Sequence, residues 1–162
     1  MSLVQKYLAP SDYSVEETWR LVEWCRGLGA NEFTIDCLPA DGRAGAKAWR
    51  SFEGLVQPYS RGDATRERMS GRTAHDLTRN TSLWELNDAT LRALRLTLTA
   101  GFLGYDPTEE GSFEDPVIYR NGQLLLGVLS HEAFAVLRLS GPESVQLSED
   151  GFPSHDSLPR VG

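Results

Sequence analysis

Cysteine is scarce in this sequence, with Cys25 and Cys37 the only two among 162 residues. Two thiols cannot build a disulfide framework, and a structural zinc site would need more cysteine or histidine ligands at suitable spacing. Both cysteines lie in apolar sequence surroundings, which predicts buried and unreactive thiols. The sequence therefore excludes a disulfide-stapled secreted scaffold, and we predict no metal site.

Long hydrophobic runs are also missing. No apolar stretch approaches the roughly 20 residues that cross a bilayer, and the N-terminus lacks the basic and then apolar pattern of a secretion signal. Hydrophobic residues make up 40% and charged residues 24% of the chain, which is typical of globular proteins. We expect one cytoplasmic domain over residues 1–162, with no membrane contact.

Positive charge is in deficit overall but concentrated in one stretch. The net charge is −7, which disfavours nucleic acid as a partner. Between residues 40 and 82, however, eight basic residues stand against five acidic ones. Few apolar residues and several glycines interrupt this stretch, so we predict an irregular basic segment with one short helix around Trp49 and Phe52. Its candidate binding residues are Arg61, Arg66, Arg68, Arg72 and Arg79.

Regular structure is predicted on both sides of that segment. Ser14 and Glu17 form a capping box for a helix that ends near Gly27, and Phe33 to Cys37 alternate as a half-buried strand. Asn87 starts a second helix, although Ser82 offers another cap. The fold class that follows is α+β: a mostly antiparallel sheet, made of a C-terminal meander and one N-terminal strand, with two main helices packed on one face.

The meander begins at the strongest local signal, Asn121-Gly122, which favours a two-residue hairpin turn. A regular hairpin would place Tyr119 opposite Leu124 and Ile118 opposite Leu125. A further strand is expected over 133–139 and a short one over 145–147. Residues 149–162, rich in Ser, Pro, Gly and Asp, are predicted to form a flexible tail.

Motifs for nucleotide, cofactor or hydrolytic zinc chemistry are absent, so no cofactor is predicted. Each histidine precedes an acid, but their spacing matches no ligand pattern. His131 and Glu132 are weak catalytic candidates, because they lie in a strand connection near the acids of the 105–116 loop. That loop lacks the ligand spacing of an EF-hand.

Two functional hypotheses remain open. The leading one is a non-catalytic binding protein whose arginine-rich segment engages an acidic protein partner, an argument that requires this segment to lie outside the packed scaffold. The alternative is a small hydrolase or transferase that uses His131 and Glu132 with acids of the 105–116 loop. A single-stranded nucleic-acid binder is less favoured and would need Trp49 and Tyr59 as stacking platforms.

Overall fold

The computed structural model describes residues 2–38, 43–70, 75–104 and 112–158; the side chains of 38, 43–46, 70, 75–79 and 112 lie outside this description. In the described part, the strands are β1 (Val4–Leu8), β2 (Glu32–Leu38), β3 (Ser60–Ser70), β4 (His75–Glu85), β5 (Ser112–Arg120), β6 (Gln123–Leu129) and β7 (Phe134–Leu139). The helices are α1 (Val15–Gly27), α2 (Arg43–Val56), α3 (Asp88–Thr97) and α4 (Gly141–Glu149). Of these described helices, none is long and apolar enough to cross a membrane.

The strands form one antiparallel sheet in the order β1–β7–β6–β5–β2–β4–β3. The fold is therefore α+β, as the sequence predicted. The strand β1 was not anticipated. It pairs along its whole length with β7, from Val4 opposite Leu139 to Leu8 opposite Ala135.

Local sequence signals explain where the two predicted helices begin. The Ser14 hydroxyl accepts from the Glu17 amide, and the Glu17 carboxylate accepts from the Ser14 amide, both at 3.1 Å. Asn87 and Thr90 make the same reciprocal bonds at 2.9 Å for α3. The alternative cap at Ser82 is wrong, because Ser82 lies in the last part of β4.

The predicted hairpin turn is confirmed, since Asn121 and Gly122 both have positive φ. Its register agrees at the pair Tyr119 and Leu124, and then shifts, so that Ile118 opposes Leu126. Leu125 is the extra residue of a β-bulge. The bulge puts Leu125 and Leu126 on the same side, in the core that the helices cover.

The expected irregular segment over residues 40–82 is wrong. It contains the helix α2 and a long hairpin of β3 and β4, paired from Asp63 opposite Ser82 to Ser70 opposite His75. Among the described residues, β4 pairs with β2 at two positions, Glu32 with Glu85 and Phe33 with Trp84. Past these two pairs the hairpin lies over the face of the sheet, where the hydroxyl of Tyr119 on β5 donates to the carbonyl of Glu67 on β3 at 2.7 Å.

Two hydrophobic layers result, one on each face of the sheet. All four helices cover the larger layer, to which they contribute Trp19, Phe52, Leu94 and Leu147. The β3–β4 hairpin covers the smaller one, which comprises Met69, Leu83, Val117, Tyr119, Leu124, Leu129, Phe134 and Val136. The β3–β4 hairpin can be poor in apolar residues because β5, β6 and β7 supply most of the apolar side chains of this layer.

The C-terminal expectations are also corrected. Residues 145–147 lie in α4 rather than in a strand, because Ser140 caps a helix there and accepts from the Glu143 amide at 3.3 Å. The tail predicted for 149–162 is ordered over its described part, up to residue 158. Phe152 is buried, and His155 exchanges two backbone hydrogen bonds of 2.8 Å with Tyr7 on the outer edge of β1.

Candidate functional site

Two of the five predicted arginines converge on one carboxylate. Glu32 at the start of β2 is buried, and Arg66 donates to its Oε1 from Nε at 3.2 Å and from Nη2 at 3.1 Å. Arg61 donates to its Oε2 at 3.3 Å. Both arginines thus pair inside the fold, although the Arg61 side chain keeps 38% of its exposure.

Arg68 is committed to the interior. Its side chain is 3% exposed, and its guanidinium donates to Asp36 at 2.8 and 3.3 Å and to the Thr81 hydroxyl at 3.3 Å. Arg72 and the side chain of Arg79 lie outside the described residues. The argument for a binding segment outside the scaffold is therefore wrong, because β3 is a regular strand whose arginines neutralise the polar face of β2.

The aromatic side chain proposed as a nucleic-acid platform is also occupied. Trp49 packs against the rings of Phe52, Trp84 and Phe113, with centroids 5.8 to 6.3 Å apart. This aromatic cluster belongs to the core under the helices. Trp49 is consequently a packing residue.

The structure brings His131 to an acid of the 105–116 loop, as the alternative hypothesis requires. His131 lies in the short 3-10 turn between β6 and β7, and its Nε2 contacts Oε2 of Glu114 on β5. The His131 side chain is 53% exposed, whereas that of Glu114 is 10% exposed. Glu132, the other candidate, is a half-buried member of the same turn.

Asp115 ties this turn to β5. Its backbone amide donates to the Ser130 hydroxyl at 3.0 Å, and its carboxylate accepts from the Ser130 amide at 2.8 Å. Arg68 also donates to the Asp115 carbonyl at 3.3 Å. Residues from three strands and one turn therefore meet here, and we call Asp36, Arg68, Glu114, Asp115, Ser130 and His131 the polar cluster.

The carboxyl groups of Glu114 and Asp115 hold protons more strongly than usual. Burial raises the pKa of Glu114, and the negative charge of Asp115 adds to the shift, while His131 opposes it. Burial also raises the pKa of Asp115, which the hydrogen bond from the Ser130 amide opposes in part. Desolvation disfavours the charged form of a carboxyl group, and raised pKa values of this kind are frequent at functional sites.

Backbone strain occurs at the same place. Asp115 and Ala133 have φ of 52° and 54°, in the left-handed region that residues with a side chain rarely adopt. Such conformations persist only where surrounding contacts hold them, and they are frequent at functional sites. The hydrogen bonds with Ser130 supply such contacts for Asp115.

The other predicted features are less organised. His155 pairs with Asp12 at 2.7 Å, far along the chain from the polar cluster, and the side chain of His75 is not described. Cys25 is buried, as predicted, and burial raises the pKa of its thiol to about 12. Cys37 is half-buried, and the two cysteines form no disulfide with each other. Within the described residues, no group of three or more His, Cys, Asp or Glu has a geometry that could hold a metal.

Sequence reasoning missed Asp36, Asp115 and Ser130 as members of one cluster. Asp36 stands at a polar position of the alternating strand, and Asp115 is one of several acids in the 105–116 loop, so neither pattern indicates a shared site. The only local signal was the Asp115-Pro116 step at the end of that loop. Their convergence depends on strand pairing between distant parts of the chain.

Comparison with known proteins adds no functional assignment: no family model, curated protein or solved structure matches this chain. The class of protein is therefore defined by its architecture alone. It is an α+β domain in which helices cover one face of a seven-stranded antiparallel sheet and a hairpin of that sheet covers part of the other.

Proposed function

We propose that this chain is a small cytoplasmic hydrolase that uses His131 as a general base held by Glu114. The observation that carries the proposal is an imidazole, half exposed to solvent, whose Nε2 contacts a carboxylate that the fold buries. A buried acid beside an accessible imidazole fixes the orientation of the ring, and general-base catalysis requires a base held in this way.

A second histidine and acid in the same chain provide an internal comparison. His155 and Asp12 also pair through Nε2, with side-chain exposures of 46% and 36%. The two histidines are thus similarly accessible, but only the partner of His131 is withdrawn from water. Because water screens an exposed ion pair, His155 lacks the strong orienting carboxylate that distinguishes His131.

The surrounding charges favour a neutral substrate. Asp36, Glu114 and Asp115 bring three carboxyl groups to the polar cluster, and Arg68 already donates to Asp36. A phosphate ester would meet this acidic surface unfavourably, whereas a carboxylic ester carries no charge at the reacting carbon. The proposed substrate class is therefore neutral carboxylic esters.

The proposed step balances without a cofactor. His131 takes a proton from the attacking water, while the water oxygen forms a bond to the carbonyl carbon. When the bond from that carbon to the leaving oxygen breaks, the imidazolium returns the proton to the leaving oxygen. A transferase would use the same base with an acceptor hydroxyl in place of water.

The test is hydrolysis of 4-nitrophenyl acetate, with 4-nitrophenyl phosphate as the charged comparison. We expect acetate turnover by the wild type, a loss of about tenfold or more in H131N and in E114Q, as general-base contributions are about 10²–10⁴, and no change in H155N or D12N. Glu114 is a positioning residue, so a solvent deuterium isotope effect on turnover should be present in the wild type and reduced in E114Q.

Thermal unfolding of each variant separates lost activity from lost folding, and E114Q keeps the size of the buried side chain. Absence of acetate turnover in the wild type would refute the proposal. Equal losses in H131N and H155N would also refute it, because they would reduce the effect to surface imidazole. Faster turnover of the phosphate ester would contradict the substrate class.

A further inference from the structure

Two neighbouring contacts join β5 to the turn between β6 and β7. Glu114 contacts the His131 ring, and the adjacent residue of each segment, Asp115 on β5 and Ser130 in the turn, pair with each other. This second pair is reciprocal, because the backbone amide of each residue donates to the side chain of the other, at 3.0 and 2.8 Å. Consecutive Cα atoms are about 3.8 Å apart, so the pair fixes the backbone from which the His131 side chain extends.

The His131 side chain depends on that backbone for its position. It is 53% exposed, and packing restrains a side chain only weakly when so much of it contacts water. Ser130, in contrast, is 7% exposed, and its carbonyl also accepts from the Ala133 amide at 3.3 Å, which closes the turn. The restraint therefore comes from the buried residue of the turn and passes along the backbone to the exposed one.

We propose that Ser130 is a positioning residue for His131. Its two hydrogen bonds with Asp115 hold the imidazole where it meets the Glu114 carboxylate. The kinetic part of this inference rests on the proposed function of His131 as a general base, whereas the placement of the ring does not. The left-handed backbone of Asp115 and Ala133 agrees with it, because such conformations persist only where surrounding contacts over-determine them. Ser130 itself contacts no reacting atom in this scheme, since its side-chain oxygen accepts from the Asp115 amide.

The experiment combines hydrolysis of 4-nitrophenyl acetate with NMR contacts (nuclear Overhauser effects) between the His131 ring and the Glu114 side chain. S130A removes the oxygen that accepts from the Asp115 amide, so the ring contacts should be lost. The kcat should fall about tenfold with KM unchanged, because a misplaced base slows the chemical step alone. D115A should have the same effect, and the S130A/D115A double variant should lose no more than either, since the two residues act as one unit. D115N keeps an acceptor oxygen and tolerates the left-handed backbone, so it should retain both the ring contacts and the turnover.

S14A is the matched control for lost stability. The Ser14 hydroxyl also accepts from a backbone amide, that of Glu17 at 3.1 Å, but in the cap of α1. S14A should therefore lower the melting temperature about as much as S130A does, while the ring contacts and the turnover stay as in the wild type.

Ring contacts that persist in S130A would overturn the proposal, and so would lost contacts without a fall in kcat, or equal losses in S14A. If the wild type hydrolyses no ester, the hydrolase proposal fails by itself. The ring contacts then decide the placement alone: their loss in S130A but not in S14A supports the role of Ser130, and their persistence in S130A refutes it.

Discussion

Replacing Arg68 tests whether the β3–β4 hairpin is an integral part of the fold. The guanidinium of Arg68 joins β3 to Asp36 of β2, to Thr81 of β4 and to the carbonyl of Asp115 on β5. Methionine in its place keeps most of the aliphatic packing and removes every one of these donors. Asp36 would then lose its nearest described cation.

The expected cost follows from burial. Breaking a fully buried ion pair costs about 3–5 kcal/mol. The side chain of Arg68 is 3% exposed, but that of Asp36 is 32% exposed. Because water can solvate part of the Asp36 carboxylate, we expect R68M to lower the free energy of unfolding by about 2–3 kcal/mol. For a domain of this size each kcal/mol lowers the melting temperature by about 2–4 °C, which predicts a fall of about 4–12 °C.

The assay is urea denaturation and thermal unfolding of R68M, with R66M as the matched control. Loss of Arg66 leaves Glu32 with Arg61, so R66M should cost less than about 1 kcal/mol. In a double-mutant cycle, R68M and D36N should show a coupling energy of about 1–3 kcal/mol. If R68M were no more destabilised than R66M, or if the cycle were additive, the hairpin could not be held to the sheet by this ion pair.

Three further predictions concern parts of the fold outside the candidate sites. Arg120 lowers the pKa of Glu143 to about 2. The ionised Glu143 should therefore stabilise the fold by roughly 2–3 kcal/mol above pH 5, and this stabilisation should be lost as the pH falls towards 2. Denaturation curves of E143Q should lack this acid dependence. G127V should be destabilised by about 1–3 kcal/mol, because even a Cβ at this position would lie 2.6 Å from the Met69 side chain. G54A in α2 is the comparison: its Cβ meets no neighbouring atom, so thermal unfolding should show a stability higher by about 0.5–1 kcal/mol. H155P removes the amide that donates to the Tyr7 carbonyl at 2.8 Å. The loss of this hydrogen bond should cost about 1 kcal/mol and speed amide hydrogen exchange in β1. Unchanged exchange would contradict a role of this segment in covering the sheet edge.

Much of the helical and meander structure could be predicted because its signals are local. The capping box at Ser14 and the Asn121-Gly122 turn each depend on residues a few positions apart. The local sequence is therefore enough to predict them. The candidate site was predicted only in part. His131 and Glu132 were expected to act with acids of the 105–116 loop, and Glu114 is the loop acid that contacts His131. Which acids of the loop would be buried was not predicted.

The β3–β4 hairpin shows why the remainder could not be predicted. Its arginines and few apolar residues resemble a solvated segment, because a polar strand face is equally compatible with water and with a layer of ion pairs. Glu32 and Asp36 on β2 supply the partners, yet nothing in their own neighbourhood of the sequence identifies them.

By itself the sequence determined the fold class, the starts of two helices and the turn of the C-terminal hairpin, since each depends on contacts between residues close along the chain. The tertiary structure decided which face of the sheet each polar residue occupies, and hence that Arg68 is buried while Arg61 and His131 remain accessible. Burial and charge pairing depend on strands far apart in the chain, and hydrophobic periodicity carries no information about which distant strand will cover a given face.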